Sequence, residues 1–302
     1  MPWMRFVPPR TRSWPRYLVI EAYAPTKRAN RVADWIETQC LVRDKAVGAD
    51  ALNEAGQVHG YRQADVALGL TTMSRRSALL GDTYPFRAAN GAAAKPCAVR
   101  TPWAALLLMG AQSPARRSLD ITTAAANLER ITAAAARNLC GPDTEAVRFA
   151  WPSEPGRPPE FPDAIRWLAE RMNVRIGTAY RPPYNKDGGV DVVAWRPFPD
   201  GRSGFPVVLV QCTLERDYGH KAGDVDRRVW AGWLALDVDP TTALAVPDVV
   251  ASGEEWNQLA ARTVILDRVR LSALIDDRVT TELLEPAFNW AEKVLTEVRE
   301  TV

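Results

Sequence analysis

Three polar residues in the second half of the chain are spaced so that they could act on one phosphate group. Asp191 follows Asp187-Gly188-Gly189, where two glycines let the backbone turn tightly and leave room beside a carboxylate. Gln211 closes the run Val207-Val208-Leu209-Val210, a polar side chain at the tip of an otherwise apolar strand. Lys221 follows in Tyr218-Gly219-His220-Lys221, near the start of the next helix. A hard cation such as Mg²⁺ takes oxygen ligands, often one or two carboxylates completed by waters, phosphate oxygens or a carbonyl. Asp191 and Gln211 could supply such oxygens, and a lysine beside them could orient a water or neutralise a phosphate. Metal plus lysine is a combination that cleaves phosphodiesters. Singly, each residue also fits a structural role: Asp191 as a turn cap, Gln211 as a partner for a sheet edge, Lys221 as a solvated helix residue. The reading rests on the three together.

The elements that must position them are legible as changes of period. Apolar runs over Arg175–Tyr180, Val190–Trp195 and Pro206–Cys212 predict consecutive strands, the second and third joined as an antiparallel hairpin through Asp200-Gly201. Before them the spacing predicts a helix from Ser118 to Leu139, stopped by Cys140-Gly141-Pro142, then a proline-rich link over 153–162 and a helix over 162–172. After them come a helix over 224–236 with Val225, Val229, Trp230, Trp233 and Leu234 on one face, strands at 243–246 and 264–266, and a final helix over 281–299. Toward the N-terminus, residues 28–47 predict an amphipathic helix and Thr101-Pro102 starts a short one. The result is an α/β chain with a mainly helical N-terminal region.

Helix, three strands, a Gly-Val-Asp and then a polar residue closing an apolar strand resemble the PD-(D/E)xK nuclease superfamily, and within it the Mrr-like restriction branch, over residues 120–275. Asp191 and the glutamine of Gln211-Cys212-Thr213 match the first two motif positions, while Thr213 stands where the lysine is expected and brings no charge there. The resemblance implies that Lys221 replaces that lysine, with His220 a second substitute, and that a glutamate on the preceding helix supports the metal. Glu129 in Leu128-Glu129 fits that glutamate; Asp163, after Pro162 where the glutamate would stand, is the alternative. The fold so implied is a restriction-endonuclease-like core of helix, mixed β-sheet and helix. The implied activity is hydrolysis of DNA phosphodiester bonds by an endonuclease using Mg²⁺ (or Mn²⁺) held by Asp191, Gln211 and Glu129, in restriction or anti-phage defence. Arg181, Arg216 and His220 are then candidate nucleic-acid contacts. The alternative is an inactive nuclease-fold subunit that binds nucleic acid or scaffolds a defence complex. A plain partner-binding α/β protein predicts instead no metal and a large apolar patch on residues 1–118.

At 302 residues two domains are expected, 1–118 of unassigned role, with a protein partner as one possibility, and 119–302 carrying the chemistry. A net charge of +2 from 38 basic and 36 acidic residues means that attraction to DNA must come from local patches. Arg5, Arg10, Arg12 and Arg16 are interrupted by prolines, which suits a solvated arm better than a targeting helix. Cys40, Cys97, Cys140 and Cys212 never form a CxxC pair, so neither a zinc knuckle nor a disulfide framework is indicated and a reducing cytoplasm fits. The apolar run 103–109 is too short to span a membrane. Trp167, Trp230 and Trp233 sit at helical spacings that suit a core, His59 stands alone, and Asp267-Arg268-Val269-Arg270 reads as an ion-paired turn or a DNA-facing surface.

Overall fold

The computed structural model describes residues 23–89, 91–94, 99–110, 120–276 and 281–301. The arginine-bearing first 20 residues and Cys97 lie outside them. In chain order the elements are α1 (Lys27–Arg43), β1 (Val47–Gly48), α2 (Ala49–Val58), α3 (Gln63–Leu80), β2 (Arg87–Ala89), β3 (Ala92–Ala94), α4 (Pro102–Met109), α5 (Ile121–Ala136), β4 (Glu145–Arg148), α6 (Phe161–Met172), β5 (Val192–Trp195), β6 (Val207–Cys212), α7 (Arg227–Leu234), β7 (Thr241–Ala245), α8 (Glu254–Ala260), β8 (Val264–Leu266), α9 (Arg268–Leu274) and α10 (Thr281–Thr301). The protein is thus α/β, with a five-stranded mixed sheet, a small antiparallel sheet of order β1-β3-β2 and a helical N-terminal region.

The larger sheet runs β4-β5-β6-β7-β8, antiparallel across the first three strands and parallel across the last three. Alternation along its strands decides the layers. Val192, Ala194, Val208 and Val210 pack with α1, α3, α4, α5 and α10, whereas Val193, Trp195, Val207 and Leu209 pack with α6 and α7. Both faces are therefore covered, which is why these strands read as unbroken apolar runs. The first of these clusters is continuous across residue 118, joining Val32, Met73 and Trp103 to Leu128, Val210 and Phe288. No helix among the described residues is long and apolar enough to cross a membrane.

Local chemistry explains the helix ends. Asp120 caps α5 by accepting from the amides of Thr122 and Thr123, and Thr101 caps α4 with Pro102 in its first turn. One strand expectation needs correction. Residues 175–180 form no strand, because their amides are taken by the C-terminal carbonyls of α7: Gly177 N donates to Trp233 O at 2.8 Å and Ala179 N to Gly232 O at 3.3 Å. A Cβ at position 177 would stand 1.8 Å from Gly232 O, so that docking requires glycine. The first strand of the sheet is instead β4, and α6 with its long loop is inserted before β5, which makes α5 the helix leading into the sheet.

The residues 267–270 are also reassigned: Asp267 caps α9 and Arg268 is fully buried. Arg268 and Arg76 lie on Trp103, each 5.2 Å from its ring centroid, and share Asp34, whose Oδ1 is 2.7 Å from Arg76 Nη1 and whose Oδ2 is 3.0 Å from Arg268 Nη2. Glu37 accepts from Arg76 at 2.6 Å, from the Tyr84 hydroxyl at 2.6 Å and from the Trp103 indole at 2.8 Å. This enclosed network ties α1, α3, α4 and α9 together.

Candidate functional site

Of the residues singled out in the second half, Asp191 and Gln211 meet at the ends of β5 and β6. Gly188 and Gly189 have φ of 63° and 78°, a left-handed turn that delivers Asp191 to the start of β5. At Gly188 a Cβ would come within 2.9 Å of the Trp233 ring, so the turn is also packed closely from below. The register that pairs Val192 with Val210 sets Asp191 beside Gln211. Backbone bonds hold that position: Asp191 N donates to Val210 O at 2.9 Å, and Phe149 N donates to Asp191 O at 2.7 Å. Asp191 Oδ2 accepts from Cys212 N at 2.7 Å.

Glu129 reaches the same place from α5. Its carboxylate accepts from Arg148, the last residue of β4, at 2.7 Å. Burial pushes the Glu129 carboxyl up to about 7, the neighbouring charges of Asp191 and Asp187 add to the rise, and the charge and hydrogen bond of Arg148 work against it. Burial also pushes Asp191 up to about 6; the Cys212 amide, Arg148 and Lys221 work against the rise, and Asp187 adds to it. Gln211 Oε1 is buried with no hydrogen-bond partner. Two carboxylates here resist ionisation and the amide oxygen of Gln211, opposite Asp191 in the register, is orphaned; all of these are the hard oxygens that Mg²⁺ or Mn²⁺ takes. Among the described residues no group of three or more His, Cys, Asp and Glu is placed to hold a metal, so a cation here would rest on two carboxylates and the amide oxygen. A cavity of about 300 Å³ opens beside Glu129, lined also by Leu128, Cys212, Thr213 and Glu215.

Lys221 sits in a 3₁₀ turn over Gly219–Gly223, ahead of α7 and not at its start. Its charge is felt by Asp191, but its ammonium pairs with Glu215 at 3.3 Å and Asp224 at 3.9 Å. His220 pairs with the same Glu215 at 3.2 Å. Thr213 has 7% of its surface exposed, its amide donates to Ala245 O and its hydroxyl accepts from Glu215 N, a strand-end role. The other candidates lie elsewhere. Arg181 donates to Gly177 O at 2.7 Å in the loop docked on α7, Arg216 lines a separate cavity with Lys27 and Arg31, and Asp163 pairs with Arg166 on an exposed face of α6.

Arg148 and Asp187 were missed by sequence reasoning. The signal for Arg148 was present in Glu145-Ala-Val-Arg148, a four-residue alternation that ends on a charge, but so short a strand has little period to detect. Asp187 sat inside the glycine turn and read as turn chemistry, which it does perform by accepting from Gly189 N at 2.9 Å. Comparison with protein-family models, with curated proteins and with solved structures finds no match for this chain.

Proposed function

We propose that the chain is a metal-dependent endonuclease that hydrolyses DNA phosphodiester bonds, with a core of the PD-(D/E)xK kind and a role in restriction or anti-phage defence. The observation that carries this reading is the nearness of two buried carboxylates, Glu129 and Asp191, both pushed above the ordinary range, at the strand end where Gln211 Oε1, opposite Asp191, is buried without a partner. The mixed sheet with α5 ahead of β4-β5-β6 and α7 after them is compatible with the helix, mixed sheet and helix that the sequence resemblance implies, with α6 inserted between β4 and β5. Asp191, Glu129 and Gln211 would hold Mg²⁺ or Mn²⁺, which when bound supplies charge for a developing oxyanion and a more acidic water. Asp191 is fixed for that task by the Cys212 amide, and Glu129 by Arg148. Lys221, partly released from Glu215, would donate to a phosphate oxygen and orient the attacking water. Purified protein with Mg²⁺ or Mn²⁺ is expected to nick plasmid DNA, and Asp191→Ala to abolish nicking while the circular-dichroism spectrum stays unchanged. Equal cleavage by that variant would overturn the assignment.

Arg148 favours a second reading. Its guanidinium, with only 7% of the side chain exposed, already neutralises Glu129 at 2.7 Å, and Thr213 leaves the motif without its lysine. An inactive subunit of the same fold, binding nucleic acid through this face or scaffolding a defence complex, follows if the internal cation stands in for the metal. Titration of Mn²⁺ into the protein separates the two: the inactive subunit takes up none at the site, and its Asp191→Ala variant gives the same isotherm.

A further inference from the structure

Arg148 also lines a second cavity, of about 400 Å³, between α5, β4, α6 and the first turn of α10. Arg130, Arg137, Arg148, Arg157 and Arg171 line it with Trp167, against two glutamates, Glu154 and Glu282. In a chain whose charges otherwise nearly balance, that is a concentrated positive patch. The five arginines differ in how they are held. Arg130 is pinned by Glu154 at 2.6 Å and Arg148 by Glu129 at 2.7 Å. Arg157 is 6% exposed, stacks on Phe149 at 4.4 Å and donates to Lys186 O at 2.7 Å, yet its Nε is buried without a partner. Arg137 and Arg171 are exposed, with no ion pair to a carboxylate among the described residues, and Arg171 lies over Trp167 at 5.3 Å.

We propose that this arginine groove binds the phosphodiester backbone of the nucleic acid on which the neighbouring site acts, leading the strand past Arg148 to Glu129 and Asp191. The proposal deepens the preceding reading and rests on it for what happens to the strand. Planar guanidinium forks match phosphate oxygens, and two of them here have no internal acid to satisfy them. Trp167, half-buried beside Arg171 and lining the groove, offers an aromatic ring on which a base can stack, which an acidic peptide would not use. Arg148 lines the groove and is paired with Glu129 of the neighbouring site, so a phosphate drawn to the groove competes with Glu129 for that guanidinium and loosens the pair.

The test is binding of a labelled short DNA duplex in EDTA, where no cleavage can occur, by the whole chain and by the double variant Arg137→Gln/Arg171→Gln. The variant is expected to lose about tenfold or more in affinity, and the slope of log affinity against log salt to fall by about 1.8, the amount for two lost phosphate contacts. Its melting temperature stays the same, since both side chains are exposed. Unchanged affinity and slope overturn the groove. Displacement of the duplex by a deoxynucleoside monophosphate at equal phosphate concentration overturns the polynucleotide as occupant in favour of a free nucleotide. Displacement by polyglutamate as effective as by unlabelled duplex overturns it in favour of an acidic protein. Cleavage assayed separately with Mn²⁺ keeps the two readings apart. Groove-dependent binding without cleavage sinks the metal site alone, and cleavage with an unaltered KM in the double variant sinks the groove alone.

Discussion

The molecule holds two clusters of buried charge, and they are built on opposite rules. Around Trp103 every carboxylate has arginines to answer it: burial alone would raise the Asp34 carboxyl, but the Arg268 and Arg76 guanidiniums overcome this and hold it below the ordinary range. At the ends of β5 and β6 the carboxylates outnumber the cations that reach them, and Glu129 and Asp191 are pushed to about 7 and about 6. The first cluster is closed, with Glu37 accepting three hydrogen bonds from Arg76, Tyr84 and Trp103. The second keeps an amide oxygen unbonded. A buried polar cluster that is complete serves to fix the fold; one that lacks a cation is where a ligand is expected.

Removing a cation from the closed cluster has the largest expected effect. Arg76→Met leaves Asp34 and Glu37 with one guanidinium between them inside the core, and breaking a buried pair in this way costs about 3–5 kcal/mol. Chemical denaturation at neutral pH reads this directly; a loss below 1 kcal/mol would show that the network is hydrated and that the contrast with the site is false.

Supplying a cation to the open cluster works in the opposite direction. At pH 7.5 a hundredfold excess of Mn²⁺ over its dissociation constant is expected to raise stability by about 2.7 kcal/mol. The same addition to Asp191→Asn is expected to do little. Because the carboxylates must ionise to bind, affinity climbs as pH rises through 6 and 7 and each binding event releases protons. A metal-induced thermal shift equal at pH 5 and pH 8 breaks the comparison.

The two clusters also differ in how far they were legible beforehand. Asp191 and Gln211 stood out because each interrupts a strong local pattern, a glycine turn or an apolar strand, and the structure sets them side by side. The α5, β5, β6, α7 and α10 elements were readable for the same reason: their apolar spacing is regular over several turns or pairs. The closed cluster was invisible. Asp34, Glu37, Arg76 and Arg268 look like ordinary helix charges, and only packing over separations such as the 234 residues between Asp34 and Arg268 turns them into a core. The segment 175–180 failed for a related reason, since its apolar spacing suits a strand while its amides are claimed by α7. Local pattern reports what a segment can do; it does not report which distant carbonyl arrives first.

A pH series gives the next largest effect. Asp191 binds its proton more tightly in the folded chain than in the unfolded one, so the folded state retains protons between about 4 and about 6 that the unfolded state releases, and its contribution to stability falls as pH rises through that window. Asp191→Asn removes the penalty. Its Oδ1 can still accept from Cys212 N, so at pH 8 without metal it is expected to be more stable than the parent by about 1–3 kcal/mol, and equal to it near pH 3.5. A substitution that removes the proposed activity and yet stabilises the fold would mark a site strained for function. A destabilised variant at pH 8 would mean instead that Asp191 is a structural cap.

The smallest effect in the absence of metal falls on Gln211, and it is the one that bears most directly on why the cluster is open. An amide oxygen already unbonded loses nothing when it is deleted, so Gln211→Leu is expected to change stability by less than about 1 kcal/mol without metal, apolar burial offsetting the loss of any bonds from its amide nitrogen. The same variant is expected to weaken Mn²⁺ affinity by tenfold or more, because the third oxygen of the set is gone. A structural glutamine reverses this pattern, giving a stability cost of 1–3 kcal/mol and an unchanged isotherm. The pairing of those two measurements on one residue therefore decides whether the orphaned oxygen serves a cation or is tolerated as a flaw at a strand end.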